Sequence, residues 1–260
     1  MQPKLNTHAT PISLRQRLQQ FRAPLSQIIT MLILAALVYW GWQSRAIFQQ
    51  IFVDLGPIPL TELFILLTVG VILSSLSFTI LVHAIGYPFT YLDGYHSLNL
   101  AQIAAMIPGK IWGFAGLAAF LWSRGISKRD SVLIISLHTL FMLSAAVFVG
   151  TVGLVSIVGW GYTILCLTPV LLLLLGRPWL DNLRNRFFAG SSPLPSSANM
   201  LLIFILGVIS WIIVSLSFAL LVYHTEKGWP IQPMLLVSAF PAGYVGGFVA
   251  LITPLSLIHI

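Results

Sequence analysis

Apolar runs long enough to cross a membrane alternate with short polar segments along most of the chain. The runs at about 60–85, 131–158 and 200–223 reach the ~20 residues that a spanning helix needs, and 25–42 comes close. A shorter run at 162–176 follows a Gly-Trp-Gly turn, and we interpret it as the return of the preceding span. The polar segment after it, with Arg177, Arg184, Arg186 and a Gly-Ser-Pro linker at 190–197, is predicted as a cytoplasmic loop. The pattern predicts an all-α, polytopic transmembrane helical bundle.

The same pattern predicts the domain organisation. Residues 1–24 are polar and basic, and we expect a cytoplasmic tail, whereas 25–254 form the transmembrane domain. Residues 255–260 read like translated sequencing-adapter sequence, so we expect them to be non-native and the transmembrane domain to be incomplete at its C-terminal end. His259 is accordingly given no functional role.

Composition excludes several classes of function. Hydrophobic residues make up 58% of the chain and charged residues 7%, against roughly 25% charged residues in soluble domains. The single cysteine, Cys166, excludes an intrachain disulfide and a thiolate metal cluster. Metal-binding motifs such as His-Glu-x-x-His are missing, so no metal or cofactor is expected.

The basic residues predict the orientation in the membrane. The formal net charge is +7. The predicted spans place ten Lys or Arg residues on one side of the membrane and two, Arg45 and Lys227, on the other. The positive-inside rule therefore favours a plasma-membrane protein with a cytoplasmic N-terminus. A nucleic-acid partner is not expected, because no basic face with interleaved aromatics is exposed to water.

A helix-breaking motif with one cation interrupts the hydrophobic pattern at Pro108, Gly109 and Lys110. The apolar arms on either side, 95–106 and 111–122, are each too short to cross alone. The motif is either the break in one interrupted span or the tip of a re-entrant hairpin. Since the basic cluster after the second arm belongs in the cytoplasm, the hairpin is favoured.

A second motif near the end of the chain has matching spacing. Pro241 is followed by Gly243 and Gly247, four apart, as Pro108 is followed by Gly109 and Gly113. The two predicted breaks approach the membrane from opposite faces, as in the inverted repeats of transporters, whose substrate sites lie near the midplane. The alternative is that glycines four apart only allow helices to pack closely.

These motifs define the candidate site. Lys110 could bind a phosphate as a point charge beside a helix N-terminus, and the ring of Trp112 could lie at headgroup level. His138 could contact a headgroup or couple to protons, although an interhelical hydrogen bond is the commoner role. The predicted substrate-binding set is Pro108, Gly109, Lys110, Trp112, Gly113, Arg124, His138, Pro241, Gly243, Gly246 and Gly247.

The segment Ile107-Pro108-Gly109-Lys110-Ile111-Trp112-Gly113, followed by Arg124-Gly125, resembles the lysylphosphatidylglycerol synthase transmembrane-region family of integral membrane proteins. Pro241 and Gly246, leading to Thr253-Pro254, carry the same resemblance. The chain departs from the family after the second motif, where the family continues with a glycine-rich stretch and further spans.

The resemblance implies a plasma-membrane protein that translocates or presents phospholipids. Three functions stay open: a stand-alone lipid flippase, the membrane half of a lipid-modifying synthase, or an accessory protein of envelope glycolipid or polysaccharide assembly. No catalytic domain is expected in the chain, because every segment between spans is far shorter than ~100 residues. The expected partners are anionic phospholipid headgroups; a homo-oligomer or an envelope-biosynthesis partner stays open.

Overall fold

The computed structural model describes residues 31, 35, 38–105, 111–226, 228 and 231–252, and these residues form helices and no strand. The all-α prediction is confirmed for them. The helices are α1 (Arg45–Leu55), α2 (Pro57–Ala84), α3 (Tyr91–Ala105), α4 (Ile111–Ser123), α5 (Lys128–Leu175), α6 (Arg177–Phe187), α7 (Ser197–Thr225) and α8 (Pro233–Ile252).

The chain divides into two units, Met1–Gln50 and Ile51–Ile260. In the first unit the guanidinium of Arg45 lies 4.3 Å from the centre of the Trp42 ring, a cation–π contact. The predicted cytoplasmic tail and most of the predicted first span lie outside the described residues. The remaining paragraphs concern the second unit.

Three helices are long and apolar enough to cross a bilayer: Pro57–Ala84, Lys128–Gly153 and Ser197–Thr225. They correspond to the runs predicted at 60–85, 131–158 and 200–223, which are therefore confirmed as helices of spanning length. Each is longer than the ~20 residues that the hydrocarbon core requires.

Side chains in α2 and α7 are distributed the opposite way from those of a water-soluble bundle. Phe64, Ile65 and Ile212 are exposed, whereas small hydroxyl residues are buried between the two helices. Ser77 Oγ donates to the carbonyl of Ile203 at 3.3 Å, and Ser210 Oγ donates to Gly70 at 2.9 Å. An apolar exterior over a hydrogen-bonded small-residue interface is typical of helices in lipid.

Helix α5 contains the predicted turn. Its backbone leaves helical geometry at Gly159, where φ is +78°, a conformation that strongly favours glycine. Lys128 at its start and Arg177 just beyond its end lie at the same end of the bundle, because Arg177 Nη1 donates to Ser197 Oγ at 3.2 Å and Ser192 N to Asp130 Oδ1 at 2.6 Å. The chain therefore reverses direction within α5.

Six basic residues lie at one end of the second unit, which we call the basic end. The ends of α2 and α4 and the starts of α5, α6 and α7 meet there. Its cations are Arg124, Lys128, Arg129, Arg177, Arg184 and Arg186. The start of α2 and the end of α7 lie at the opposite end, where Glu62 is 3.7 Å from His224. The basic residues thus lie at one end of the bundle, as the sequence predicts for segments on the same side of the membrane.

Helices α3 and α4 form an antiparallel hairpin. A Cβ on Gly113 would lie 3.0 Å from the carbonyl of Ala101 and 3.1 Å from the Cβ of Ala105, so the arms are in close contact. At the base of the hairpin, Arg124 Nη2 is 2.5 Å from Asp93 Oδ1. Both arms therefore have their outer ends at the basic end.

The second motif has a different structure from the predicted break. Helix α8 runs through Pro241 without ending, and the proline is fully buried. A Cβ on Gly150 would lie 3.4 Å from the backbone nitrogen of Ala242, and one on Gly153 would overlap Ser238, so α8 lies close to α5 on both sides of the proline. A proline removes one backbone hydrogen bond, and neighbouring helices compensate for that loss in membrane bundles.

Candidate functional site

The tip of the predicted hairpin lies outside the described residues, which omit 106–110 and with them Pro108, Gly109 and Lys110. The adjoining arm is described. Trp112, at its start, is half-exposed, and Gly113 faces α3. Trp112 thus lies on the surface of the bundle, whereas Gly113 allows the close packing of the hairpin, which is one of the two interpretations of the glycine spacing.

Arg124 is engaged within the protein. Its guanidinium pairs with Asp93 and lies 5.3 Å from the centre of the Phe120 ring. Asp93 Oδ2 also accepts hydrogen bonds from the backbone nitrogen and the hydroxyl of Thr90, at 3.1 and 2.8 Å. Arg124 therefore closes the hairpin; its predicted contact with substrate is a separate role that this geometry does not require.

Asp93, which pairs with Arg124, lies outside the three candidate spans, and its surroundings favour the ionised carboxylate. Desolvation of its carboxylate opposes ionisation, but the hydrogen bonds from Thr90 and the charge of Arg124 outweigh it. The pKa of Asp93 consequently lies below its usual range. The carboxylate stays ionised at neutral pH, which keeps the base of the hairpin paired.

A second carboxylate, Asp130, ties three segments together at the basic end. It is 5% exposed, and its Oδ2 accepts from Tyr87 Oη at 2.6 Å and from Ser127 Oγ at 2.7 Å. Its Oδ1 accepts from the backbone nitrogen of Ser192 at 2.6 Å. The start of α5 is thereby fixed to the segments that follow α2 and α6.

His138 lies on α5 against α2. Its ring meets the Phe78 ring edge-on at a centroid distance of 5.0 Å. Its Nδ1 is buried and has no hydrogen-bond partner among the described residues, so the interhelical hydrogen bond considered for it is not made by that nitrogen. The contact that the structure gives it is aromatic packing.

The residues of the second motif are divided between two sides of α8. Gly243 lines a shallow groove of about 350 Å³ together with Phe218, Phe240 and Tyr244. Pro241 is buried, and a Cβ on Gly246 would meet nothing within 4 Å. Gly247 is half-buried and lies next to Phe248, which belongs to a different groove.

This other groove joins the two motif-bearing segments, and we call it the lateral groove. It has a volume of about 430 Å³. Phe114, directly after Gly113, forms one wall, and Phe248, directly after Gly247, forms the other. The floor is one face of α5: Ile135, Ser136, Thr139, Leu140 and Leu143.

The depth of the lateral groove follows from the geometry of its floor. Thr139 lies about 16 Å along α5 from Lys128, at 1.5 Å per residue. Half the hydrocarbon thickness is about 15 Å. If Lys128–Gly153 spans a bilayer, the groove lies near the middle of it.

The lining of the lateral groove suits an acyl chain with a polar attachment. Its walls are phenylalanine and aliphatic side chains, and the hydroxyls of Ser136 and Thr139 are its polar side chains. In the sequence these hydroxyls are three residues apart within an apolar span, and they are absent from the predicted substrate-binding set. Among the described residues, no group of three or more His, Cys, Asp or Glu side chains could hold a metal ion.

No model of a known protein family, no curated protein and no solved structure matches this chain.

Proposed function

We propose that this chain is a multi-pass plasma-membrane lipid translocator that moves an anionic phospholipid along the lateral groove. We also propose that it belongs to the lysylphosphatidylglycerol synthase transmembrane-region family. The observation that supports the function best is the position of the groove. It lies at mid-span depth, between Phe114 and Phe248, the residues that adjoin the two sequence motifs.

In this proposal the α3–α4 hairpin is re-entrant and enters the membrane from the cytoplasmic side, where the N-terminus also lies. Both outer ends of the hairpin lie at the basic end, which the positive-inside rule assigns to the cytoplasm. Arm α4 has 13 residues, which corresponds to about 20 Å from its base. An arm of that length reaches the interior of the bilayer without crossing it.

Helix α8 enters from the opposite side. A Cβ on Gly153, at the far end of the α5 span, would overlap Ser238 and the carbonyl of Met234 near the start of α8. The two motif-bearing segments thus approach the groove from opposite ends. This opposite approach supports an inverted arrangement, although Pro241 lies inside a continuous helix.

The proposed division of labour follows from the side chains. Phe114, Leu143 and Phe248 give the acyl chains an apolar surface, so that little free energy is lost when the lipid leaves its neighbours. Ser136 and Thr139 can donate to headgroup or ester oxygens that would otherwise lie unpaired in hydrocarbon. Lys110, next to arm α4 in the sequence, would neutralise the phosphate.

The test is lipid movement in reconstituted vesicles. Purified protein is placed in phosphatidylcholine vesicles with a fluorescent phosphatidylglycerol, and the outer-leaflet fraction is followed by chemical quenching. Thr139→Phe fills the floor of the groove and is expected to reduce movement to the protein-free background. Lys110→Ala is expected to slow movement while leaving the protein folded.

The matched control is Val152→Phe, on the same helix at a position that is exposed and outside the groove. It should move lipid like the unsubstituted protein. Equal rates for Thr139→Phe and Val152→Phe would remove the groove from the transport path. Equal rates for Lys110→Ala and the unsubstituted protein would remove Lys110 from the site.

A further inference from the structure

Helix α6 occupies a stretch predicted only as a cytoplasmic loop, and its residues are arranged around two faces. On a helical wheel Trp179, Leu180, Leu183 and Phe187 fall within an arc of about 100°. Apart from Pro178, the rest of the helix is polar. The sequence signal is the i, i+3, i+4 spacing of these four residues, within a segment whose overall polarity led to its prediction as a loop.

The apolar face is only partly used within the protein. Leu180 is 5% exposed and belongs to the core cluster at the basic end. Trp179 is 56% exposed and Phe187 is 67% exposed. Docking of α6 on the bundle therefore leaves two large aromatic side chains uncovered.

Cations flank the uncovered aromatics on both sides. Arg184 and Arg177 border the apolar arc on one edge, and Arg186 borders it on the other. Arg186 also lies 5.6 Å from the centre of the Phe187 ring. The nearest acid, Asp181, is 3.9 Å from Arg177 in a pair exposed to solvent, so the charge of the face stays positive.

The position of α6 in the fold indicates that its uncovered face meets a lipid surface. It lies at the basic end, close to the start of α7, because Arg177 Nη1 donates to Ser197 Oγ. Ser197–Thr225 is a span by length and composition, so its start lies where hydrocarbon gives way to headgroups. At that level aromatic rings are stable in the interface and arginines meet anionic phosphates.

We infer that α6 is an interfacial helix that docks on the anionic lipid surface of the cytoplasmic leaflet. Trp179 and Phe187 insert at the boundary between headgroups and acyl chains, and Arg184 and Arg186 contact phosphate groups. This surface goes beyond the lateral groove and does not depend on it, since a protein that moves no lipid could carry the same helix.

The test uses the full chain with Cys166→Ser, so that one introduced thiol carries an environment-sensitive fluorophore. The labelled variants are Trp179→Cys and Phe187→Cys, with Asn185→Cys, an exposed position on the opposite side of the helix, as the control. Each is reconstituted in vesicles of phosphatidylcholine alone or of equal parts phosphatidylcholine and phosphatidylglycerol. Quenching by lipids that carry a spin label near the headgroup reports insertion.

The expected result is blue-shifted, quenched emission at 179 and 187 in the phosphatidylglycerol vesicles and water-like emission at 185. Adding Arg184→Gln and Arg186→Gln should lower the docked-to-free ratio about fivefold for each arginine removed. Water-like emission at all three positions would overturn the inference. A blue shift at 179 and 187 that is equal in both vesicle types and insensitive to the arginine substitutions would also overturn it. That result would mean that the apolar face of α6 is covered by protein rather than by anionic lipid.

Discussion

The hairpin α3–α4 and helix α8 start from similar sequence patterns and reach different structures. Both carry proline followed by glycines four apart, yet the first pattern joins two short antiparallel helices, and the second lies within one helix of 20 residues. The hairpin has a polar base, where Asp93 holds Arg124, whereas α8 lies along α5 through small residues. In both places the proline–glycine pattern permits close helix packing. Only in the hairpin, where the chain reverses, does the segment also have an ion pair at its base, between Asp93 and Arg124.

The largest expected effect is at the seam between α5 and α8. Gly153→Ala places a methyl group where Ser238 Oγ and the Met234 carbonyl already lie. We expect a loss of about 3 kcal/mol in the free energy of unfolding, because a backbone carbonyl cannot move aside as a side chain can. Unfolding in mixed detergent micelles measures it.

The control for that seam is Gly161→Ala, since a Cβ there would meet nothing within 4 Å. It should change the free energy of unfolding by less than about 0.5 kcal/mol. Similar losses in both variants would mean that the seam is not as close as Gly153 indicates.

A glycine-to-alanine substitution in the hairpin should lower the free energy of unfolding by less than Gly153→Ala does. At Gly113 the added Cβ would lie 3.0 Å from the Ala101 carbonyl and 3.1 Å from the Ala105 methyl group, which is tight but not an overlap. Gly113→Ala is expected to lower the free energy of unfolding by about 1 kcal/mol. A loss as large as that of Gly153→Ala would contradict the difference between the two seams.

The smallest effect concerns pH and the base of the hairpin. Because the folded-state pKa of Asp93 is lowered, its contribution to stability is present above the ordinary aspartate pKa of about 3.9. It is lost as the pH falls through the folded-state value. Arg124 is half-exposed, so we expect no more than about 1 kcal/mol at neutral pH.

Asp93→Asn removes that contribution, and Asp181→Asn, in the exposed pair on α6, is the matched control. The acid-side slope of stability against pH, measured by unfolding at a series of pH values, should flatten in Asp93→Asn and persist in Asp181→Asn. An unchanged slope in Asp93→Asn would show that the pair does not stabilise the folded state.

The sequence predicts much of this fold, because hydropathy and charge act through local, countable quantities. The spans and the turn at Gly159 follow from apolar run length and glycine, and the shared end of the basic segments follows from the positive-inside rule. Helix α6 was predicted as a loop because its polar residues outnumber its apolar ones. Proline and glycine predict a break at Pro241, whereas the structure has a continuous helix there, because the close packing of α8 against Gly150 and Gly153 is a tertiary contact that the local sequence does not show.

The candidate site was only partly predictable for a similar reason. Gly113 and Gly247 lie beside groove residues, but the groove itself needs Phe114, Phe248 and the face of α5 that carries Thr139. Which face of an apolar helix meets a cavity cannot be deduced from hydropathy, since both lipid-facing and groove-facing residues are apolar. The tertiary arrangement supplies that choice.

The most direct test of the central proposal closes the lateral groove reversibly. Phe114→Cys and Phe248→Cys are combined with Cys166→Ser, and the two walls are joined by a bifunctional thiol reagent that reduction releases. Fluorescent phosphatidylglycerol movement is measured in the same vesicles before joining, after joining and after reduction. The account predicts that movement falls to the protein-free background when the walls are joined and recovers on reduction; unchanged movement in fully cross-linked protein would contradict it.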